Sequence, residues 1–89
     1  MAHLLVAYDI SAHGARQRVA RILLEYGRRV QRSVFEIQAQ PEDLREVRRQ
    51  VGPLLSMQDA FDIYPIDLRN LASRIRWQRP PRNRSVILA

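Results

Sequence analysis

The chain of 89 residues contains neither cysteine nor lysine, and it lacks both a long apolar run and a glycine-rich loop. Without cysteine there are no disulfides and no thiolate metal site, and the redox compartment cannot be read. No stretch approaches the ~18 consecutive apolar residues of a membrane span. Residues 1–15 have no basic start followed by an apolar run, so no targeting segment is expected and a cytoplasmic location is the default. There is no phosphate-cradling glycine loop, no Ser/His/Asp arrangement and no His/Cys ligand spacing, which sets aside the common nucleotide-binding, acyl-transfer and zinc-site readings. The absence of lysine makes all the positive charge arginine: fifteen residues against nine acids, a net charge of +6. Such a balance argues for phosphate-bearing partners, and arginine's planar fork grips phosphate oxygens in pairs. An arginine-only basic set can equally reflect genome composition, so charge alone leaves the partner open.

The size allows one small domain, since a chain this short buries only ~60 to 65% of the surface its unfolded form exposes. A second subunit would help. Leu4 to Tyr8 is a short apolar run suited to a strand covered on both faces or nearly so, and it ends in Asp9. The period then changes. Val19, Ile22, Leu23 and Tyr26 fall on one helical stripe, predicting a helix from about Gly14 to Tyr26, with Ser11 as a cap near its start and Gly27 at its stop. The stretch "VQRSVFEI" alternates with neither face cleanly apolar, which predicts two short strands meeting at a bend near Ser33. Pro41, Glu42 and Asp43 open a second helix, whose stripe of Leu44, Val47, Val51, Leu54 and Leu55 is weakened at its end by Gly52 and Pro53. "AFDIYPI", residues 60–66, is a further strand. The order strand, helix, strand, strand, helix, strand is the βαββαβ pattern of an α+β, ferredoxin-like domain over residues 1–68, an antiparallel sheet with both helices on one face.

Residues 69–89 stand apart from that unit. Between Arg69 and Arg84 there are six arginines, no acids, Trp77 and the pair Pro80-Pro81, a basic connector whose simplest reading is a solvated tail. It ends in "SVILA", an uncharged apolar segment expected to add as a short strand to a sheet edge, in its own subunit or a neighbour's.

"VAYDIS" at the first strand's end, "RQRVARILLEYG" in the first helix, "RVQRSVFE" across the middle strands and "IYPI" in the last strand together resemble the CRISPR-associated protein 2 family over most of the chain. The resemblance implies a ferredoxin-like homodimer acting in spacer acquisition beside the CRISPR-associated integrase, and a metal-dependent endonuclease. It implies a metal-binding role for Asp9, with Mg²⁺ or Mn²⁺ as the ion, and places Tyr8, Arg16, Arg18, Arg29, Ser33 and Phe35 in or near the active cleft. Two departures stand out. The loop Ala12-His13-Gly14 lacks the acidic or amide residues frequent after "YDIS", and Arg32 replaces a frequent aromatic. Both make the region more positive.

One carboxylate is a poor site for a hard cation, which takes several oxygen ligands. In a two-fold dimer, however, Asp9 near the axis becomes a pair, and two close carboxylates favour a proton or cation between them. Arg16 and Arg18 follow this strand end and suit phosphate, and Ser11 could lend an oxygen to the metal's water shell. With Tyr8 and Phe35 these residues form the candidate catalytic set, and Arg16, Arg18, Arg29, Arg32, Arg76 and Arg79 form the candidate nucleic-acid contacts. From spacing alone, Asp9 is equally a turn carboxylate. His13 is a weaker candidate base, His3, before the first strand, reads as structural or solvated, and Tyr64 reads as packing. Three functions follow: a divalent-metal endonuclease cutting RNA or double-stranded DNA, a non-catalytic dimeric bridge holding duplex DNA and integrase dimers, or a toxin-type ribonuclease of the virulence-associated D class.

An exchanged terminal strand would lock two subunits together, so deleting residues 80–89 should weaken the dimer. Sedimentation at micromolar concentration checks this, and a truncated chain as firmly dimeric as the full one would rule out strand exchange.

Overall fold

The structure, a computed structural model, describes residues 1–67. The elements are β1 (Ala2–Asp9), α1 (His13–Leu24), β2 (Gly27–Gln31), β3 (Val34–Ala39), α2 (Pro41–Val51), a 3₁₀ turn (Gly52–Leu54) and β4 (Ala60–Pro65). The terminal strand expected at residues 85–89, and the basic connector with Arg76 and Arg79, lie outside the described residues.

The four strands form one antiparallel sheet in the order β2-β3-β1-β4, the ferredoxin-like arrangement, with β1 hydrogen-bonded on both sides. Successive side chains of a strand leave opposite faces. Leu4, Val6 and Tyr8 of β1 therefore join Phe35, Ile37 and Ala39 of β3 beneath Val19, Ala20 and Leu23 of α1 and Val47 and Val51 of α2, all buried. The helices cover this face alone. On the other face Leu5 and Ala7 of β1 remain half-buried, flanked in register by Glu36 and Val34 of β3 and by Tyr64 and Asp62 of β4. The apolar run of β1 suggests cover on both faces. Among the described residues it has cover on one.

Helix α1 starts one residue earlier than its apolar stripe indicates and stops two residues sooner, because Glu25 and Tyr26 leave the helix in a turn closed by Glu25 N–H to Ile22 O and Tyr26 N–H to Leu23 O. Its N-cap is Ala12, not the Ser11 expected, and no side chain caps it. Helix α2 begins as its sequence indicates: Pro41 occupies the first turn, and the Asp43 carboxylate accepts the Gln40 N–H at 2.8 Å, satisfying an otherwise unpaired donor. Gly52 and Pro53 convert its end to a 3₁₀ turn.

The mixed faces of "VQRSVFEI" have a cause. Arg29 pairs with Phe35 and Gln31 with Val34, so Val30 is the extra residue of a bulge before the Arg32-Ser33 turn. In β4, Ile66 N–H donates to His3 O, so the alternation turns the position of Pro65 away from β1, toward the free edge where the missing N–H costs no ladder bond.

Gly27 shows how closely β2 and β3 approach. A β-carbon built there would lie 1.9 Å from the Glu36 carbonyl oxygen, which only a displaced strand relieves. Gly27→Ala should lower stability by at least about 2 kcal/mol, the upper part of the ordinary range for point substitutions. Gly14→Ala, in open space, should not. Thermal unfolding of the two variants side by side makes the comparison.

Candidate active site

Strand β1 delivers Asp9 to the rim of the sheet. Asp9 is the last residue of the strand, exposed, opposite Ala60 of β4, and on the open face with Leu5 and Ala7. Its carboxylate has no hydrogen bond or ion pair among the described residues. The next residue, Ile10, turns back into the core at 2% exposure and anchors the chain as it leaves the sheet.

The loop that follows is tied from two sides. Ser11 donates its backbone N–H and its hydroxyl to Asp59 Oδ1, at 3.1 and 3.3 Å. Asp59 Oδ2 accepts the Ser56 N–H at 2.8 Å, and the Asp59 N–H returns to Ser56 O. The Ser56 amide first, and the Ser11 amide next, hold the Asp59 carboxyl below the ordinary aspartate value. On the other side Arg16 Nη1 donates to the carbonyls of Ile10 and Ser11, each at 3.0 Å, and Nη2 lies 3.2 Å from His13 Nδ1. Arg16 thus keeps only its Nε–H and one Nη2–H for a ligand.

Several candidates meet at this end of the sheet. The Tyr8 N–H donates to Ser33 O at 3.0 Å, which sets the β2–β3 turn, with exposed Arg32, against the end of β1. Ser11 and Arg16 are at the same end, and exposed Arg18 follows on α1. Arg18 and Arg32 have no acidic partner among the described residues, whereas on α2 Arg49 pairs with Glu46 and Arg45 with Glu42.

Tyr8 and Phe35 depart from the expectation. Both lie in the core on the helix-covered face, opposite Asp9, at 7% and 0% exposure. Tyr8 stacks on Phe35 at 6.1 Å between ring centroids and on Phe61 at 6.3 Å, a three-ring row across β3, β1 and β4. Exposed Arg29 caps the row with its guanidinium 5.2 Å from the Phe35 ring. These rings can support the strand end from beneath. Phe35 has no surface to offer a substrate.

Two residues escape sequence reasoning. Asp59 bonds across 48 positions, which no local spacing reveals, although "SMQD" carries the Ser-x-x-Asp pattern in which a carboxylate caps an amide three residues back. Glu36, 6% exposed on the open face, accepts Arg28 Nη2 at 3.0 Å and lies 3.4 Å from His3 Nε2, so His3 is neither solvated nor idle.

No group of three or more His, Cys, Asp or Glu side chains that could hold a metal occurs among the described residues. Asp9 by itself does not fit a hard cation, which takes several oxygen ligands. Nor is any helix among the described residues long and apolar enough to cross a membrane.

Comparison with known proteins places this geometry. The family model for CRISPR associated protein Cas2 matches residues 1–74. A Thermus thermophilus protein named CRISPR-associated endonuclease Cas2 2 is 45% identical over 62 residues, 68% of this chain and 69% of that protein. A Synechocystis protein named CRISPR-associated endoribonuclease Cas2 3 is 32% identical over 78 residues, 86% of this chain and 85% of its own length. A chain from a solved partial Cas6-RT-Cas1–Cas2 complex shares the fold, with a TM-score of 0.77 over 86% of this chain and 91% of that one at 23% identity. The matched range spans both helices and all four strands, and the chain belongs to the CRISPR associated protein Cas2 family.

Proposed function

We propose that this chain acts in CRISPR spacer acquisition as a divalent-metal-dependent endonuclease, cutting RNA or duplex DNA as a homodimer that also binds an integrase partner. The observation that carries the reading is Asp9, an exposed carboxylate without a partner among the described residues, held at the end of the central strand of a family whose relatives bear endonuclease names. The integrase partner rests on the fold shared with a chain from a complex that contains Cas1.

The face that the described residues leave uncovered supports the dimer. Leu5, Ala7, Val34 and Tyr64 form an apolar strip that a second copy would bury, and a two-fold axis near the strand end would bring two Asp9 carboxylates together. Their mutual repulsion is relieved by a cation, and Mg²⁺ or Mn²⁺ takes such ligands while retaining waters. When bound, the ion lowers the pKa of a coordinated water and polarises a phosphodiester. Exposed Arg18 and Arg32, without acidic partners among the described residues, would serve the phosphates, and Arg16 holds the loop that follows Asp9.

A second reading, the non-catalytic bridge, is favoured by the distribution of charge. Residues 1–67 carry nine arginines and nine acids, so the whole net charge of +6 lies in the C-terminal segment that follows. A neutral body with a basic extension can hold a duplex without chemistry.

Asp9→Asn separates the readings. It keeps the side chain's size and should abolish Mg²⁺- or Mn²⁺-dependent cleavage of RNA and duplex DNA while dimerisation and DNA binding persist. Cleavage by wild type and variant, purified identically across a metal series with a chelator control, is the measurement. Equal cutting by both would point to a contaminant or another residue, and no cutting by either, with binding intact, leaves the bridge.

Duplex affinity should also fall steeply with salt. Each arginine that neutralises a phosphate adds about 0.9 to the slope of log affinity against log salt, so replacing Arg76 and Arg79 with Gln should make that slope shallower by about this amount per arginine engaged. Binding that is flat between low and physiological salt would remove nucleic acid as the main partner.

A further inference from the structure

We infer that Asp59 is the positioning residue for the Asp9 carboxylate, acting through the Ser11 amide and hydroxyl; this rests on the reading of Asp9 as a metal ligand. The β1–β4 ladder ends at the Asp9–Ala60 pair, and Asp59 and Ile10 are the next residue of each strand's continuation. A terminal rung with nothing beyond it frays, because few contacts oppose local opening. Here the Asp59 carboxylate extends the connection by one step. Oδ1 takes both Ser11 donors and Oδ2 takes the Ser56 amide, so the loops leaving β1 and entering β4 are joined through one side chain.

The opposite side of the same loop is fixed independently by Arg16 on the Ile10 and Ser11 carbonyls and by burial of the Ile10 side chain. Asp9 therefore precedes a segment in which the Ser11 amide and both carbonyls are bonded within the protein. A hard cation shared by two copies of Asp9 is sensitive to this, because any displacement of the strand end enters twice, once from each subunit. Residues that orient a ligand without touching the metal typically change its affinity 10- to 100-fold when removed.

All three acceptor positions used on Asp59 face protein donors, which distinguishes it from Asp9. If it were itself a metal ligand, Asn would cost as much as Ala. As a positioning group, Asp59→Asn keeps one oxygen for Ser11 and loses only the acceptor for Ser56.

The test is a Mn²⁺ titration of the full chain, followed by calorimetry and by the electron paramagnetic resonance signal of free Mn²⁺, for wild type, Asp9→Asn, Asp59→Ala and Asp59→Asn. Cleavage against metal concentration and thermal unfolding run in parallel. Asp59→Ala is expected to weaken Mn²⁺ binding about tenfold. Cleavage at saturating Mn²⁺ should stay within a few-fold of wild type, and Asp59→Asn should recover most of the affinity. Should Asp59→Ala fail to fold, Asp59→Asn and Ser11→Ala, which each delete part of the network, should each weaken binding a few-fold. A merely structural role would lower the unfolding temperature and leave the Mn²⁺ isotherm unchanged, which overturns the positioning role while the site stands. Loss in Asp59→Asn equal to that in Asp59→Ala overturns it as well. Mn²⁺ binding that is the same in wild type and Asp9→Asn overturns the reading of Asp9, and this inference with it.

Discussion

The structure depends on one strand having neighbours on both sides. β1 is paired along its length with β3 and β4, and it supplies Leu4, Val6 and Tyr8 to the layer beneath the helices. β3 shares this double role, with Phe35, Ile37 and Ala39 in the core, but its pairing with β2 is broken by a bulge, and β2 and β4 are the edges among the described residues. A group that must be held still is therefore well placed on β1. Its own side chains are committed to core or sheet until the last residue, so Asp9 is the first position free for chemistry. A site on a packed element is held more tightly than one on a loop, and the carboxylate gains that rigidity without being buried.

The unfilled side of β1 sets the second constraint. Its face carries an apolar diagonal, with Ala7 beside Val34 and Leu5 beside Tyr64, bordered by the carboxylates of Asp62 at one end and Glu36 at the other. Burying Glu36 would be costly without partners, and Arg28 and His3 supply them. The compensated charges leave an ion pair at one end of this apolar diagonal and a carboxylate, Asp62, at the other. Such a surface suits a partner that approaches in one orientation, because a shifted register would set an apolar strip over an ion pair.

Much of this is legible in the sequence, and the limits have physical causes. Periodicity locates the four strands and two helices of the described residues, most clearly β1 and the helices, where the spacing of apolar residues records the buried face. Proline and acids mark the start of α2, where Asp43 caps Gln40. Periodicity cannot say whether the second face of β1 is covered, since that depends on what packs there. Ser11 reads as a helix cap because caps are local, yet its hydroxyl goes to a residue 48 positions away. Resemblance draws Tyr8 and Phe35 toward the cleft, whereas alternation already places Tyr8 on the face opposite Asp9. Asp9 itself is legible from a simple anomaly, an apolar run ending in a charge.

The placement of charge links these constraints. Two carboxylates meeting at an axis hold a divalent cation only if nearby positive charge is modest, because a basic surround would neutralise them and repel the ion. In the folded body arginines and acids are equal in number, and α2 pairs two of its arginines with its own glutamates. The excess that attracts phosphate lies beyond Asp67 in sequence. Arg18 and Arg32, which have no acidic partner among the described residues, belong to α1 and the β2–β3 turn, neither of which carries Asp9. A chain that put its whole net charge on the sheet rim would bind nucleic acid more tightly there and metal less. On the reading proposed above, separating the two along the sequence would leave the folded body balanced in charge while the basic segment supplies attraction for a polyanion.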